Sequence, residues 1–308
     1  MRVFRNTEQL PAFNNSVITI GTFDGVHKGH QKLIERIRLL AQKTQGENII
    51  ITFHPHPRIV INPEDKSLRL LNTTDEKIAL LQKYGVDNVV IVPFSRYFSE
   101  QSAEDYISHF LVKNFQPKHI VIGYDHKFGK DRRGDYKLLE ELKIQYGYEM
   151  EEISKETLDD IAISSTKIRS SLNSGEITLA NDLLAYRYML SGTVVRGLQN
   201  GRKLGYPTAN IHINDEYKLI PKTGIYAVLV HYETAIYKGM LSIGYNPTFN
   251  GKEQTIEVNM LDFDKDIYGV NLTLEFVEYV RAEKKFESIQ ALTDAIANDE
   301  KIIRQILS

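Results

Sequence analysis

The chain has 308 residues, 42% hydrophobic and 25% charged, with no cysteine and a formal net charge of −2. Its length exceeds the usual single core and predicts two domains, while near-neutral charge argues against a duplex nucleic-acid partner. Without cysteine there is no disulfide, thiolate metal site or Cys nucleophile, and with no signal-like start and no apolar run near ~20 residues, a cytoplasmic protein with no membrane partner is expected.

Through the first half, short apolar runs alternate with helical patterns. Ser16–Ile20, Asn48–Phe53, Asn88–Val92, His119–Ile122 and Tyr148–Ile153 are rich in Val and Ile, as buried parallel strands are. Gln31–Ala41 reads as a helix after the first strand. Thr73-Thr74-Asp75-Glu76 has the form of a capping box, with Ile78, Leu81 and Tyr84 at helical spacing and Gly85 as terminator. The β-α-β order predicts a doubly wound parallel sheet, with ligands beyond the carboxyl ends of its strands. Three segments begin there: Gly21–His30, His54–Pro57 and Gly123–Gly134.

In the first of these, Gly21-Thr22-Phe23-Asp24-Gly25-Val26-His27-Lys28-Gly29-His30, two imidazoles sit on a strand-to-helix turn. Backbone N–H groups and a helix N-terminus converge at such a turn, which suits a phosphate. Histidines there can donate to phosphate oxygens without permanent charge. A solvated turn is the bland alternative, but the glycines permit a close approach of backbone to ligand. His54-Pro55-His56-Pro57 offers too few ligands for zinc and reads as a fixed loop.

Helical segments Ser165–Asn173 and Ile177–Leu184 close this half. The expected limits are a first domain 1–185, a linker 186–190 and a second domain 191–308. Beyond Leu190 the period becomes two. Ser191–Val195, Ala209–Ile213, Ile225–His231, Ala235–Ser242, Gln254–Phe263 and Asn271–Val280 imply an antiparallel barrel or sandwich. Glu287–Leu307 reads as a closing helix with Ile289, Leu292, Ile296, Ile303 and Leu307 inward. The Gly197–Gly205 loop lacks P-loop spacing, yet its backbone N–H groups could curl around phosphates. Thr208 and Asn210 share one side of a strand and offer hard oxygen ligands for Mg²⁺. Glu257 interrupts an apolar strand; an outward-facing Glu is the commoner case there.

Gly21–His30, Phe53-His54-Pro55-His56-Pro57, Gly123-Tyr124-Asp125-His126-Lys127-Phe128-Gly129 and Ile163-Ser164-Ser165-Thr166-Lys167-Ile168-Arg169 follow one another in the chain. Gly192-Thr193-Val194-Val195, Gly201–Leu204, Gly205-Tyr206-Pro207-Thr208-Ala209-Asn210, Gly244-Tyr245-Asn246-Pro247-Thr248 and Ile256-Glu257-Val258 complete the set. Together they resemble, over nearly the whole chain, the prokaryotic bifunctional riboflavin kinase/FAD synthetase family. The resemblance implies an α/β N-terminal Rossmann-like nucleotidyltransferase domain and a C-terminal antiparallel β-barrel kinase domain with a closing helix. It also implies two ATP-dependent reactions: phosphorylation of riboflavin to FMN, then adenylyl transfer to FMN, giving FAD and pyrophosphate.

The roles implied by the resemblance are specific. His27 and His30 would bind the ATP phosphates, within a site formed by Gly21, Phe23, Asp24, Gly29, Ser164, Ser165 and Thr166. Arg169 would neutralise the β- and γ-phosphates. Pro57, Asp125, His126, Phe128 and Arg281 would border the flavins. Gly197, Lys203, Gly205, Pro207, Thr208 and Asn210 would bind the ATP of the kinase, Thr208 and Asn210 also holding Mg²⁺, with Glu257 as base. The chain departs from the family at His126, where Phe is usual, and at Leu184-Ala185-Tyr186-Arg187, where Leu-Gly-x-Pro is usual. A chain with only the kinase alive, or a non-catalytic flavin- or nucleotide-binding regulator, are the alternatives.

Overall fold

The computed structural model describes residues 1–154, 163–197, 201, 204–248 and 251–308, with the backbone alone at 246–248 and 251–253. They form two compact units, Met1–Ser165 and Thr166–Ser308.

The first unit is built on a six-stranded parallel sheet of order β1-β4-β3-β2-β5-β6. The strands are β1 Arg2–Phe4, β2 Val17–Ile20, β3 Asn48–His54, β4 Asn88–Pro93, β5 His119–Gly123 and β6 Glu149–Ile153. Five match the expected runs; the three-residue edge strand β1 was not foreseen. Ile18, Ile49, Ile51, Val90, Ile120 and Ile122 are buried in the sheet. Each such aliphatic side chain contributes about 1.5–3 kcal/mol by leaving water. The winding runs outward from β2 through β3 to β4 on one side and through β5 to β6 on the other. The strand order therefore reverses between β2 and β5, where open α/β sheets bind ligands.

Helix α1, Lys28–Lys43, follows β2 and starts three residues earlier than the expected Gln31. His30 consequently lies in its first turn, and His27 is its N-cap. Helix α2, Pro57–Ile61, follows β3. Helix α3, Thr74–Lys83, has the expected capping box: Glu76 N donates to Thr73 Oγ1 (3.2 Å) and Thr73 N to Glu76 Oε2 (3.0 Å).

The second unit contains a closed antiparallel barrel of order β10-β11-β8-β7-β12-β9. Its strands are β7 Met189–Val195, β8 Ala209–His212, β9 Gly224–Tyr232, β10 Ala235–Thr248, β11 Gly251–Met260 and β12 Asn271–Arg281. Tyr226, Leu241 and Val258 are cross-strand neighbours and fully buried, so their row fills the interior. The alternate row, on the outer wall, includes Ala227 and Met240, which pack with Leu261 and Ile303 under the closing helix Ile289–Ile306.

Three expectations change here. The helices Ser165–Ser174 and Ile177–Leu184, expected to end the first half, group with the barrel from Thr166 onward. Asn181 Nδ2 donates to Phe276 O and Asn181 Oδ1 accepts from Tyr188 N, tying this segment to β12. The stretch expected as linker, 186–190, is packed: Tyr186, Tyr188 and Leu190 are buried, and Tyr188 donates its hydroxyl to Leu219 O. Ile289, expected on the inner face of the closing helix, is 73% exposed, because the first helical turn lies beyond the apolar cover formed by Ile296, Ile303 and Leu307.

Candidate active sites

The turn after β2 is held in a conformation that ordinary residues avoid. Phe23 (φ 48°), Gly25 (φ 89°) and Val26 (φ 37°) are all left-handed. A β-branched residue there is an outlier, and such strain, about 1–3 kcal/mol per residue, is characteristic of functional turns. The turn is secured by Val26 N to Phe23 O (3.2 Å) and Gln31 Nε2 to Val26 O (2.8 Å). It delivers His27 to the N-terminus of α1, where the His27 side chain makes no capping hydrogen bond. A helix N-terminus of this kind suits an anion.

His27 and His30 stack with centroids 3.7 Å apart and planes 16° from parallel. Gly29 makes this possible: a Cβ there would come within 3.3 Å of the His27 ring. The Phe23 ring, itself buried, lies 5.0 Å from His30. Burial, then the neighbouring His27, then the Lys77 ammonium hold the His30 pKa well below 6.5. His30 is therefore a neutral imidazole near pH 7, a hydrogen-bond donor without charge.

Of the other residues expected around this ATP, Gly21 donates its N–H to Ile51 O (3.0 Å), fastening the turn to β3. Asp24 is buried, accepting from Leu71 N through Oδ1 (2.8 Å), while its carbonyl accepts from Ser165 Oγ (2.9 Å). Both are braces of the turn rather than groups turned to solvent. Ser164 is exposed at the end of the same unit, whereas Thr166 and Arg169 belong to the second unit, on the helix Ser165–Ser174.

Loops after the neighbouring strands carry the segments expected around the flavin. His54 Nδ1 meets Thr74 Oγ1 at 3.2 Å, the His54–Pro55 peptide is cis, and Pro57 opens α2 behind the N-cap His56. After β5, Asp125 is exposed and His126 half-buried. Phe128 is instead a core residue, 5% exposed, its ring stacked on Tyr106 at 4.9 Å. His126 lies 5.8 Å from the Phe128 ring, and its buried Nε2 has no hydrogen-bond partner among the described residues.

Burial, helped by the Arg132 charge, pushes the His126 pKa down to about 4. As pH falls from 6.5 toward 4, the unfolded chain takes the proton first, so folding stability is lost across that window. His126→Phe fills the same space with a ring that needs no partner. The drop in urea-unfolding free energy between pH 8 and pH 5 is expected to shrink by about 2 kcal/mol in this variant; an unchanged drop would show that His126 is already solvated.

In the barrel, Thr208 Oγ1 donates to Glu257 Oε2 at 2.9 Å, bringing an expected metal ligand and the expected base together. Asn210 pairs with Glu257 across β8 and β11, and Ser242 continues the row on β10. This row alternates with the buried Leu241 and Val258, so Glu257 does face outward, on the wall that the closing helix also covers. Gly197 is required for close approach, since a Cβ there would fall 2.2 Å from Asn210 Nδ2. Gly201 O accepts from Leu204 N (3.0 Å) and Tyr206 N (2.9 Å), curling the loop that ends at Gly205. Pro207 O accepts from Asn259 Nδ2 (2.7 Å), which fixes the approach to Thr208. Lys203 lies outside the described residues.

These oxygens suit a hard divalent cation. The Thr208 hydroxyl proton goes to Glu257, leaving its lone pairs outward, and Asn210 adds an amide oxygen. Arg281, expected near the flavin, is committed elsewhere: Nε and a terminal nitrogen grip the buried Asp299 of the closing helix at 2.8 and 2.6 Å.

A family model for FAD synthetase matches residues 10–167, and one for riboflavin kinase matches 184–307. The bifunctional riboflavin kinase/FMN adenylyltransferase of Listeria monocytogenes is 37% identical over 94% of this chain and 92% of its own. The chain belongs to the bifunctional riboflavin kinase/FMN adenylyltransferase family. The family member of Escherichia coli K12 is 34% identical, covering 99% of this chain and 96% of its own. A solved structure from Streptococcus pneumoniae, named a macrolide-efflux protein, matches with TM-score 0.87 and 32% identity over 98% of each chain. Within this family frame, one residue of the first site escaped sequence reading: Lys77, on α3, reaches inward to Thr22 O at 2.6 Å. Its signal was slight, a lysine between Glu76 and Ile78 on a helix with a polar outer face.

Proposed function

We propose that this chain makes FMN and then FAD, each at its own site. In the barrel, the riboflavin hydroxyl attacks the γ-phosphorus of ATP, the bond from that phosphorus to the β-bridging oxygen breaks, and ADP leaves. A neutral hydroxyl needs a proton acceptor, and Glu257 takes that role. Thr208, hydrogen-bonded to it, and Asn210 would hold Mg²⁺, which supplies charge neutralisation on the phosphates when bound. The resemblance assigns Gly197, Lys203, Gly205 and Pro207 to the nucleotide, which a glycine-punctuated segment can meet through backbone N–H groups.

At the turn after β2, an FMN phosphate oxygen attacks the α-phosphorus of a second ATP, the bond to the β-bridging oxygen breaks, and pyrophosphate leaves. That nucleophile is already ionised, so no base is needed. The N-terminus of α1, His27 and His30 orient the phosphates and stabilise charge as it builds on the leaving group. Ser164 and Ser165 end the unit that carries this turn; the family resemblance assigns Thr166 and Arg169 to the same ATP phosphates, and Pro57, Asp125 and His126 to the flavin. The resemblance divides the functions at 1–185 and 191–308, whereas the compact units divide between Ser165 and Thr166, and we read the enzyme as cytoplasmic.

The observation that carries the reading is the contrast between the sites: two stacked imidazoles at a helix N-terminus in one, a carboxylate hydrogen-bonded to a hydroxyl in the other. Among the described residues no helix is long and apolar enough to cross a membrane.

Purified protein incubated with ATP, Mg²⁺ and either riboflavin or FMN, followed by flavin chromatography, tests both steps. FMN from riboflavin and FAD from FMN are expected, and chelation of Mg²⁺ is expected to stop both. FMN without FAD would reduce the enzyme to its kinase. No product from either flavin would favour a non-catalytic regulator.

A further inference from the structure

Lys77 is a lysine in a costly place. Its side chain leaves α3 toward the turn after β2, and burial lowers its pKa, with Asp24 partly offsetting the effect. Nζ donates to Thr22 O at 2.6 Å and lies 3.5 Å from Thr52 Oγ1. Thr52 Oγ1 donates to the same carbonyl at 3.1 Å. Both lone pairs of one carbonyl, at the front of the phosphate-facing turn, are therefore taken by side chains from two other elements.

A trans peptide is planar, with its C=O and N–H opposed. Fixing the Thr22 carbonyl toward Lys77 and Thr52 fixes the Phe23 N–H in the opposite direction. If this peptide rotated, a carbonyl oxygen would stand where the Phe23 N–H now stands. The neighbouring fastenings act on the same loops: Leu71 N holds Asp24, and Thr74 Oγ1 meets His54 Nδ1 at 3.2 Å. The segment from Leu71 to Lys77 thus joins the turn after β2 to the loop after β3. An alkyl side chain would fill the space beside α3 without the desolvation of an ammonium, so packing alone does not account for a lysine.

We propose that Lys77 is a positioning residue for adenylyl transfer: with Thr52 it locks the Thr22–Phe23 peptide so that the turn meets the nucleotide with donors and not with a carbonyl. The inference rests on the adenylyltransferase reading of this site. Lys77 acts through the backbone, and the ground-state binding of ATP is what its loss should weaken.

The test compares Lys77→Met, Thr52→Val and Thr52→Ser in the full chain, following FAD formation from FMN over a range of ATP concentrations and riboflavin phosphorylation in the same preparations. Lys77→Met is expected to raise the KM for ATP in FAD formation about tenfold or more, with kcat changed less than threefold. Thr52→Val should raise it several-fold, Thr52→Ser should remain near the unaltered chain, and riboflavin phosphorylation should be retained throughout. A KM for ATP within twofold of the unaltered value in Lys77→Met overturns the inference. If Lys77→Met loses riboflavin phosphorylation as well, the threonine pair decides, and equal KM values for the Val and Ser variants overturn it. Absence of FAD from the unaltered chain overturns the site reading, and this inference with it.

Discussion

Glu257→Gln is expected to lower the rate of riboflavin phosphorylation by ~10²–10⁴-fold, the usual worth of a positioned base, while FAD formation from added FMN proceeds as before. Gln keeps the length of Glu and an oxygen that can accept from the Thr208 hydroxyl, now 2.9 Å from the carboxylate. Basicity and charge are what it loses. The β11–β8 pairing through Asn210 and Val258 is made by backbone and should survive, so the variant should fold. Flavin chromatography after incubation with riboflavin, and separately with FMN, measures both steps. Retention of FMN formation within tenfold would remove Glu257 from the role of base.

His30→Ala is the complementary case. It is expected to cut FAD formation by ~10²–10³-fold, the scale seen when one preorganised donor to a charge-bearing transition state is removed. FMN formation should be untouched. The substitution also unstacks His27, whose ring lies 3.7 Å from that of His30, so part of the loss arises from misplacing the partner imidazole. Loss of both activities in a folded protein would contradict two independent sites.

Much of this was legible because the signals are local. The strand runs, the capping box at Thr73–Glu76 and the same-side placement of Thr208 and Asn210 follow from periodicity over a few residues. The start of α1 was misjudged because its N-cap is His27, which lacks the short oxygen-bearing side chain that marks most caps. What escaped depends on distant partners. Asp299 interrupts the apolar face of the closing helix, and only the β12 residue Arg281 explains its burial. Lys77 carries no local signal because Thr22 and Thr52, which receive it, come from the turn after β2 and from β3. Phe128, expected at the flavin, lies in a glycine-bracketed loop, and Gly134 pairs back onto it while its ring stacks on Tyr106.

The position of Glu257 on the outer wall has a consequence for how this module can change over generations. The barrel has a filled interior, where Tyr226, Leu241, Val258 and Phe276 are fully buried, whereas the row proposed to be reactive lies outside. The proposed chemistry thus draws only on the outer face of strands whose filled interior supplies much of the core. A copy of the gene could lose the chemistry through one substitution at the wall and still yield a sound, long-lived protein. Such a copy would be free to keep its nucleotide or flavin affinity for another use.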